Sequence, residues 1–254
     1  HQVRLALRAL PDFSHFVGEE IVSRLESCQS NSPEDVALVK ELFSKCLTLD
    51  AGRTRACVEY LQTKLPTVAA LAREAEVVSR LASRYGVGYW GLIALFFMNH
   101  LTLKPGQAIF IGPNVPHAYL DGDLFECMAC SDNVVRAGLT PKYKDVRALV
   151  ELVDCSSSHE GIRALVPGDN GFSLVDTPVD DFRVRVLGPG SRPVTIHSGD
   201  SPGVILCVGR SLLLRGRLTE SALELKDGGA AFIPPQSGDY ELIPSEATVF
   251  FVTV

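Results

Sequence analysis

The sequence predicts a mainly β protein with a helical domain ahead of it, and three observations carry that expectation. Up to about residue 98, apolar residues recur at helical spacing, the mark of amphipathic helices. From Leu101 onward, short β-branched runs alternate with Gly and Pro turns at roughly 8 to 12 residue spacing, the pattern of a sandwich or jelly roll. Within this second texture the stretch at 106–119 is echoed at 228–240, so the β region reads as two units of one kind.

The helical part divides at its capping signals. In "VGEEIVSRLESC", Val17, Ile21 and Leu25 form one buried stripe. "SPEDVALVKELFSKCLTL" opens with Ser32 as N-cap and Pro33 at the first helical position, with Glu34 and Asp35 favourably placed against the helix dipole. Its predicted stripe is Val36, Val39, Leu42, Phe43 and Cys46. "TRACVEYLQTKL" and "VAALAREAEVVSRLASRYG" follow, the latter closed by Gly86. "GYWGLIALFFMNH" is continuously apolar and predicts a helix packed on several sides. Strands are expected in "AIFIG", "AYLDGDLFECMAC", "FRVRVLG", "GVILCVG", "SLLLRGRL", "GGAAFIPP" and "ATVFFVTV", with the turn-rich run at 156–182 as a linker.

Composition excludes several classes. The chain has 254 residues, room for one large or two smaller domains. A net charge of -6 and the lack of any block of Lys and Arg argue against nucleic acid as partner. "GLIALFFM" is far short of the ~20 apolar residues that span a bilayer, so no membrane partner is expected and a soluble protein is. Seven cysteines, odd in number and irregularly spaced, fit a reducing compartment. The start "HQVRLALRAL" lacks the long apolar region of a secretory signal, and a cytoplasmic location is the expectation.

The echo singles out one imidazole. "GQAIFIGPNVPHAY" aligns without gaps on "GGAAFIPPQSGDY", placing His117 opposite Asp239. A histidine at the end of a rigid strand is either a packed, hydrogen-bonded core residue or one corner of a metal site. Glycine, strand, proline, turn and histidine in that order have the shape of a cupin motif, which presents a metal ligand from a strand end.

The longer run "LTLKPGQAIFIGPNVPHAYLDGDLFECMACSDNVVRAGLTPKYKDV", at 101–146, resembles the type I mannose-6-phosphate isomerases. Its hallmarks are "NVPHAYL", "GD..ECMA.SDN.VRAGLTPK" and the "LTLKPG" lead-in, and weaker similarity covers nearly the whole chain. The resemblance implies a double cupin (jelly roll) architecture with the first cupin incomplete. Residues 1–98 would be a partial helical insertion domain, 99–155 the C-terminal part of the catalytic cupin, and 156–254 a linker and a second, metal-free cupin-like domain. It also implies a zinc-dependent enzyme, a monomer, that interconverts mannose 6-phosphate and fructose 6-phosphate and feeds mannose into nucleotide-sugar synthesis.

The resemblance makes His117 a zinc ligand. The family's other three ligands, a Gln-x-His pair and a Glu, precede the helical insertion, and no Gln-x-His occurs in this chain. One His cannot supply the four-ligand geometry zinc prefers, so the chain by itself is expected to isomerise little or nothing. A fragment of a longer product, an artefact of truncation and a non-catalytic cupin module binding a sugar phosphate or a protein partner all fit that absence. A fragment is the reading adopted.

Isomerisation moves a proton between C1 and C2 through an enediolate, so the site must stabilise a developing oxyanion. By resemblance Arg136 faces the substrate and steadies that charge; the residue itself could instead pair a neighbouring carboxylate. Glu126 matches a pocket carboxylate, against a plain salt bridge to Arg136. Lys142 matches a lysine near the substrate, against a solvated surface lysine. Tyr119 aligns with a substrate-binding tyrosine, against an ordinary half-buried one. Cys127 and Cys130, in "CMAC", read as core thiols on opposite faces of a strand. For His100 both a core and a surface setting stay open, and His15, His159 and His197 lack ligand spacing.

Overall fold

The computed structural model describes residues 2–131, 133–138, 140, 142–156, 161–217 and 221–254. His159 and the Leu139 and Pro141 of "GLTPK" lie outside the described residues. The chain forms two compact units, each interleaved in sequence with the other. One comprises His1–Thr102, Ile111–Gly122 and Asp132–His159; the second comprises Leu103–Phe110, Asp123–Ser131 and Glu160–Val254.

The first unit contains helices α1 (Gln2–Ala9), α2 (Phe13–Val17), α3 (Glu19–Ser27), α4 (Pro33–Leu47), α5 (Ala51–Lys64), α6 (Ala72–Tyr85), α7 (Gly91–Ala94) and α8 (Val146–Leu152). Gly18, at φ 121, separates Val17 from the α3 stripe of Ile21, Val22 and Leu25, so the predicted first helix is two. α4 begins as predicted, with the Ser32 side chain accepting the Asp35 N–H at 3.1 Å and Pro33 in the first turn. Gly86, at φ 84, ends α6. The run after it, expected as one helix, is a shorter one: α7 gives way to a 3-10 turn at Leu95–Phe97. Its apolarity is explained by burial on several sides, Leu92, Ile93 and Phe96 all being fully enclosed.

The buried stripe of α4 differs from the predicted one. It runs through Leu38, Val39, Leu42, Phe43, Cys46 and Leu47, with Val36 only partly covered, and it includes a carboxylate. Asp35 is 0% exposed; the Arg4 guanidinium donates to it at 2.8 Å and the Asn31 N–H at 2.6 Å. A side chain placed by sequence beside the helix dipole therefore also anchors α1 to α4.

The second unit is an antiparallel sheet assembly. Its strands are β1 (Gln107–Ala108), β2 (Arg163–Ala164), β3 (Val166–Pro167), β4 (Ser173–Leu174), β5 (Arg183–Leu187), β6 (Val194–His197), β7 (Gly203–Gly216), β8 (Ala222–Lys226), β9 (Ala230–Ile233) and β10 (Asp239–Thr253). β1 pairs with β2, while the main sheet runs β3-β4-β5-β10-β7-β8, with β6 on β10 and β9 on β7. The runs "GVILCVG" and "SLLLRGRL" merge into β7 because β10 pairs with it along nearly its whole length. Ile205, Cys207, Leu212, Leu214, Leu242, Val249 and Phe251 form the core beneath these strands.

Two expectations are corrected. Among the described residues helices hold more of the chain than strands, so the protein is not mainly β. The shortfall lies in 109–131, where "AYLDGDLFECMAC" forms no ladder among the described residues. Strand propensity becomes a strand only when a neighbour accepts the backbone hydrogen bonds. The supposed linker at 156–182 in turn contributes β2, β3 and β4.

Candidate active site

Pro116 and a left-handed Asn114, at φ 62, aim His117. The Asn114 carbonyl accepts the Asp154 N–H at 2.9 Å, which pins the turn against the end of α8. The His117 ring is exposed, so the core-packing alternative does not hold. Its Nδ1 lies 2.9 Å from the Val115 carbonyl oxygen. A carbonyl can only accept, so Nδ1 is the donor, and in the neutral ring Nε2 is the nitrogen left with a lone pair. Histidines that ligate metals are oriented by this kind of bond. Tyr119, 51% exposed, has its ring centroid 5.9 Å from that of His117.

The echo is written in the backbone as well as the sequence. Gly106 and Gly228 have φ of 78 and 74, and Asn114 and Gln236, eight residues on from each, have φ of 62 and 53. Asp239, opposite His117, receives His197 Nδ1 at 2.6 Å from the neighbouring strand β6. In this second copy a His–Asp pair thus occupies the strand end.

Arg136 is exposed. Val135 and Ala137 on either side of it pack on the cluster of Phe43, Leu47, Leu149 and Val153, and alternation turns the guanidinium outward. It makes no ion pair among the described residues. Lys142 is exposed too, its backbone N–H donating to Thr140 Oγ1 at 3.2 Å. Glu126 belongs to the second unit and is exposed; Phe125 beside it stacks on Phe250 of β10 at 4.1 Å, which holds that segment against the sheet. Four of the five candidates therefore share the first unit. His117 and Tyr119 are brought together, and Arg136 and Lys142 share one loop. No hydrogen bond or ring contact joins the two pairs among the described residues.

No group of three or more His, Cys, Asp or Glu converges as a metal cage among the described residues. His117 fits zinc as a single ligand through its free Nε2; the described residues do not complete a four-ligand site. The other histidines serve differently. His15 pairs with Asp12 and Glu19 on the surface, whereas His100 is buried with its Nδ1 3.3 Å from Glu74, both side chains 5% exposed. An open hollow of about 380 Å³ in the second unit, lined in part by Cys127, Met128, Cys130 and Phe232, contains none of the five candidates.

"CMAC" is not a pair of core thiols: Cys130 is exposed and Cys127 only partly covered, because the segment forms no strand to bury them. Burial instead pushes the Cys46 thiol far up, Cys57 up to about 12 and Cys155 up to about 11. Since the thiolate is the nucleophile, iodoacetamide at pH 8 is expected to modify Cys130 before Cys46 and Cys57, as read by peptide mass mapping. Cys46 reacting as fast as Cys130 would contradict the packing of α4.

A helical unit joined in one chain to an antiparallel β unit is also the fold of solved mannose 6-phosphate isomerase structures. The mannose 6-phosphate isomerase from Salmonella typhimurium solved with fructose 6-phosphate and zinc superimposes with a TM-score of 0.74 at 21% identity, over 99% of this chain and 61% of that one. Its apo form gives a TM-score of 0.73 at 21% identity, again over 99% of this chain and 61% of that one. No protein-family model matches the chain. Curated relatives are closer in sequence: the mannose-6-phosphate isomerase of Homo sapiens is 35% identical over 241 residues, 89% of this chain and 56% of the relative. The Bos taurus protein of the same name is 36% identical over the same 241 residues and the same shares of each chain. The chain is therefore similar in sequence to these mannose-6-phosphate isomerases, and it spans a little over half their length.

Proposed function

We propose that this chain is part of a zinc-dependent aldose–ketose isomerase that interconverts mannose 6-phosphate and fructose 6-phosphate. The observation that carries this reading is the exposed His117, its Nδ1 tied to the Val115 carbonyl and its Nε2 presented, within a run that matches the family's motifs. The Salmonella relative, solved with fructose 6-phosphate and zinc, supports it. On this reading the β regions are two cupins, and residues 1–98, 99–155 and 156–254 are the partial insertion domain, the rest of the catalytic cupin and the second cupin. When bound, zinc supplies the Lewis acidity that polarises the sugar carbonyl. Arg136 stabilises the enediolate, Tyr119 binds sugar hydroxyls, and Glu126 and Lys142 orient the substrate and help to move its protons. The protein acts as a cytoplasmic monomer on sugar phosphates that supply nucleotide-sugar synthesis.

The remaining zinc ligands come, on this proposal, from polypeptide outside these 254 residues. The chain alone then holds little zinc and turns over little substrate, while the intact polypeptide binds one zinc and isomerises until a chelator removes it. Metal analysis and a coupled isomerase assay on both forms test this. Stoichiometric zinc on the 254-residue chain would overturn the ligand count. The lack of a converging ligand group among the described residues also suits a second reading, a non-catalytic cupin module. An intact polypeptide that binds sugar phosphate without isomerising it would favour that module.

A further inference from the structure

Arg136 and Lys142 lie on a loop that two adjacent aromatic residues hold from the helical side. Tyr89 and Trp90 stand immediately before α7. The Tyr89 hydroxyl accepts the Thr140 N–H at 3.0 Å and lies 3.4 Å from the Thr140 carbonyl, to which it donates. Thr140 is therefore gripped at both backbone polar groups by one side chain. Its own hydroxyl accepts the Lys142 N–H at 3.2 Å, passing the constraint to the lysine. Lys144 closes the turn: its ammonium is 3.5 Å from the Thr140 carbonyl and 5.4 Å from the centre of the Tyr89 ring.

Trp90 fixes the other end of the loop. Gly138, two residues beyond Arg136, sits so close to the indole that an added Cβ would lie 3.2 Å from Cη2 and 3.3 Å from Cζ2. This glycine serves close approach. The platform itself is stiff. Trp90 packs edge-on to Phe43 with centroids 6.5 Å apart, and Phe43 is 1% exposed. Tyr89 is stacked between Tyr85 at 5.4 Å and Trp90 at 6.4 Å. Val135 and Ala137 rest on the same cluster as Trp90.

We propose that Tyr89 and Trp90 are positioning residues for the isomerase, a platform on the helical unit that sets Arg136 and Lys142 for the substrate. This rests on the function proposed above. The helical segment then contributes to turnover without touching the reacting atoms. Misplacing a charge-stabilising group by about 1 Å can cost on the order of 100-fold in rate, so a loop carrying two such groups gains from a rigid support.

Tyr89→Phe keeps the stack and removes only the hydroxyl. In the intact isomerase it is expected to lower kcat about tenfold with KM changed less than about twofold, because the lost alignment acts on the transition state. Trp90→Phe should lower kcat as well, while Tyr85→Phe, which retains the stacked ring, should match the parent. Amide hydrogen exchange of the loop between Val135 and Lys144 should quicken in Tyr89→Phe. Arg136→Ala separates the two ideas. If the intact protein does not isomerise, or Arg136→Ala is fully active, the proposed function falls. If Arg136→Ala is inactive while Tyr89→Phe turns over at the parent rate, raises only KM, or leaves loop exchange unchanged, the platform falls.

Discussion

On the proposed function, His117→Ala in the intact protein is expected to lose zinc and isomerase activity together, whereas Arg136→Ala is expected to retain the metal and lose turnover. The two residues share an exposed setting in the first unit, yet their chemistry differs. The imidazole, with its Nδ1 proton committed to the Val115 carbonyl, offers one lone pair suited to a metal. Removing one of four ligands leaves an incomplete site whose affinity falls steeply, and the metal-dependent activity falls with it. The guanidinium cannot ligate a metal, because it is protonated at any working pH. Its loss removes charge stabilisation, an effect of roughly 100- to 1,000-fold on kcat by comparison with oxyanion donors. Metal analysis beside steady-state kinetics checks both variants. An Arg136→Ala protein that purifies without zinc, under conditions where the parent retains it, would overturn this division of roles.

Asp35→Ala is expected to destabilise the helical unit by about 3 to 5 kcal/mol, the usual cost of stranding one member of a buried ion pair. The carboxylate is fully enclosed, and Arg4, whose side chain is 11% exposed, would lose its counter-charge and keep the Cys28 sulfur, at 3.2 Å, as acceptor. The Asn31 N–H would lose its 2.6 Å acceptor as well. Replacing Arg4 too, in Arg4→Met with Asp35→Ala, should recover part of the loss, since an apolar side chain needs no counter-charge. Denaturant unfolding followed by helical circular dichroism measures both. A loss below about 1 kcal/mol would make the pair no more consequential than one on the surface.

Much of the helical unit was legible locally. Ser32 with Pro33, and Gly86, mark helix ends through groups within one turn of the chain, and the Ile21 and Leu25 stripe needs only the helical repeat. The pointer to His117 was equally local: glycine, apolar run, proline and polar turn recur in a fixed order, ending on His117 in the first copy and Asp239 in the second. Other features escaped because their cause lies far along the chain. Asp35 looked like a helix-dipole residue until Arg4 was found against it, and Val135 and Ala137 gave no sign that they would turn Arg136 outward.

By itself the sequence determined where α4 begins and α6 ends, where the β texture takes over, and which imidazole to single out. Tertiary structure decided which β-rich runs became strands, merging two into β7 and leaving 109–131 without a ladder among the described residues. It also decided that Cys130 is exposed, Asp35 buried and Thr140 held by Tyr89. The physical reason is range: a cap or a helical stripe is satisfied within a few residues, whereas a strand, a buried charge and a clamped loop each require a partner that folding brings from elsewhere.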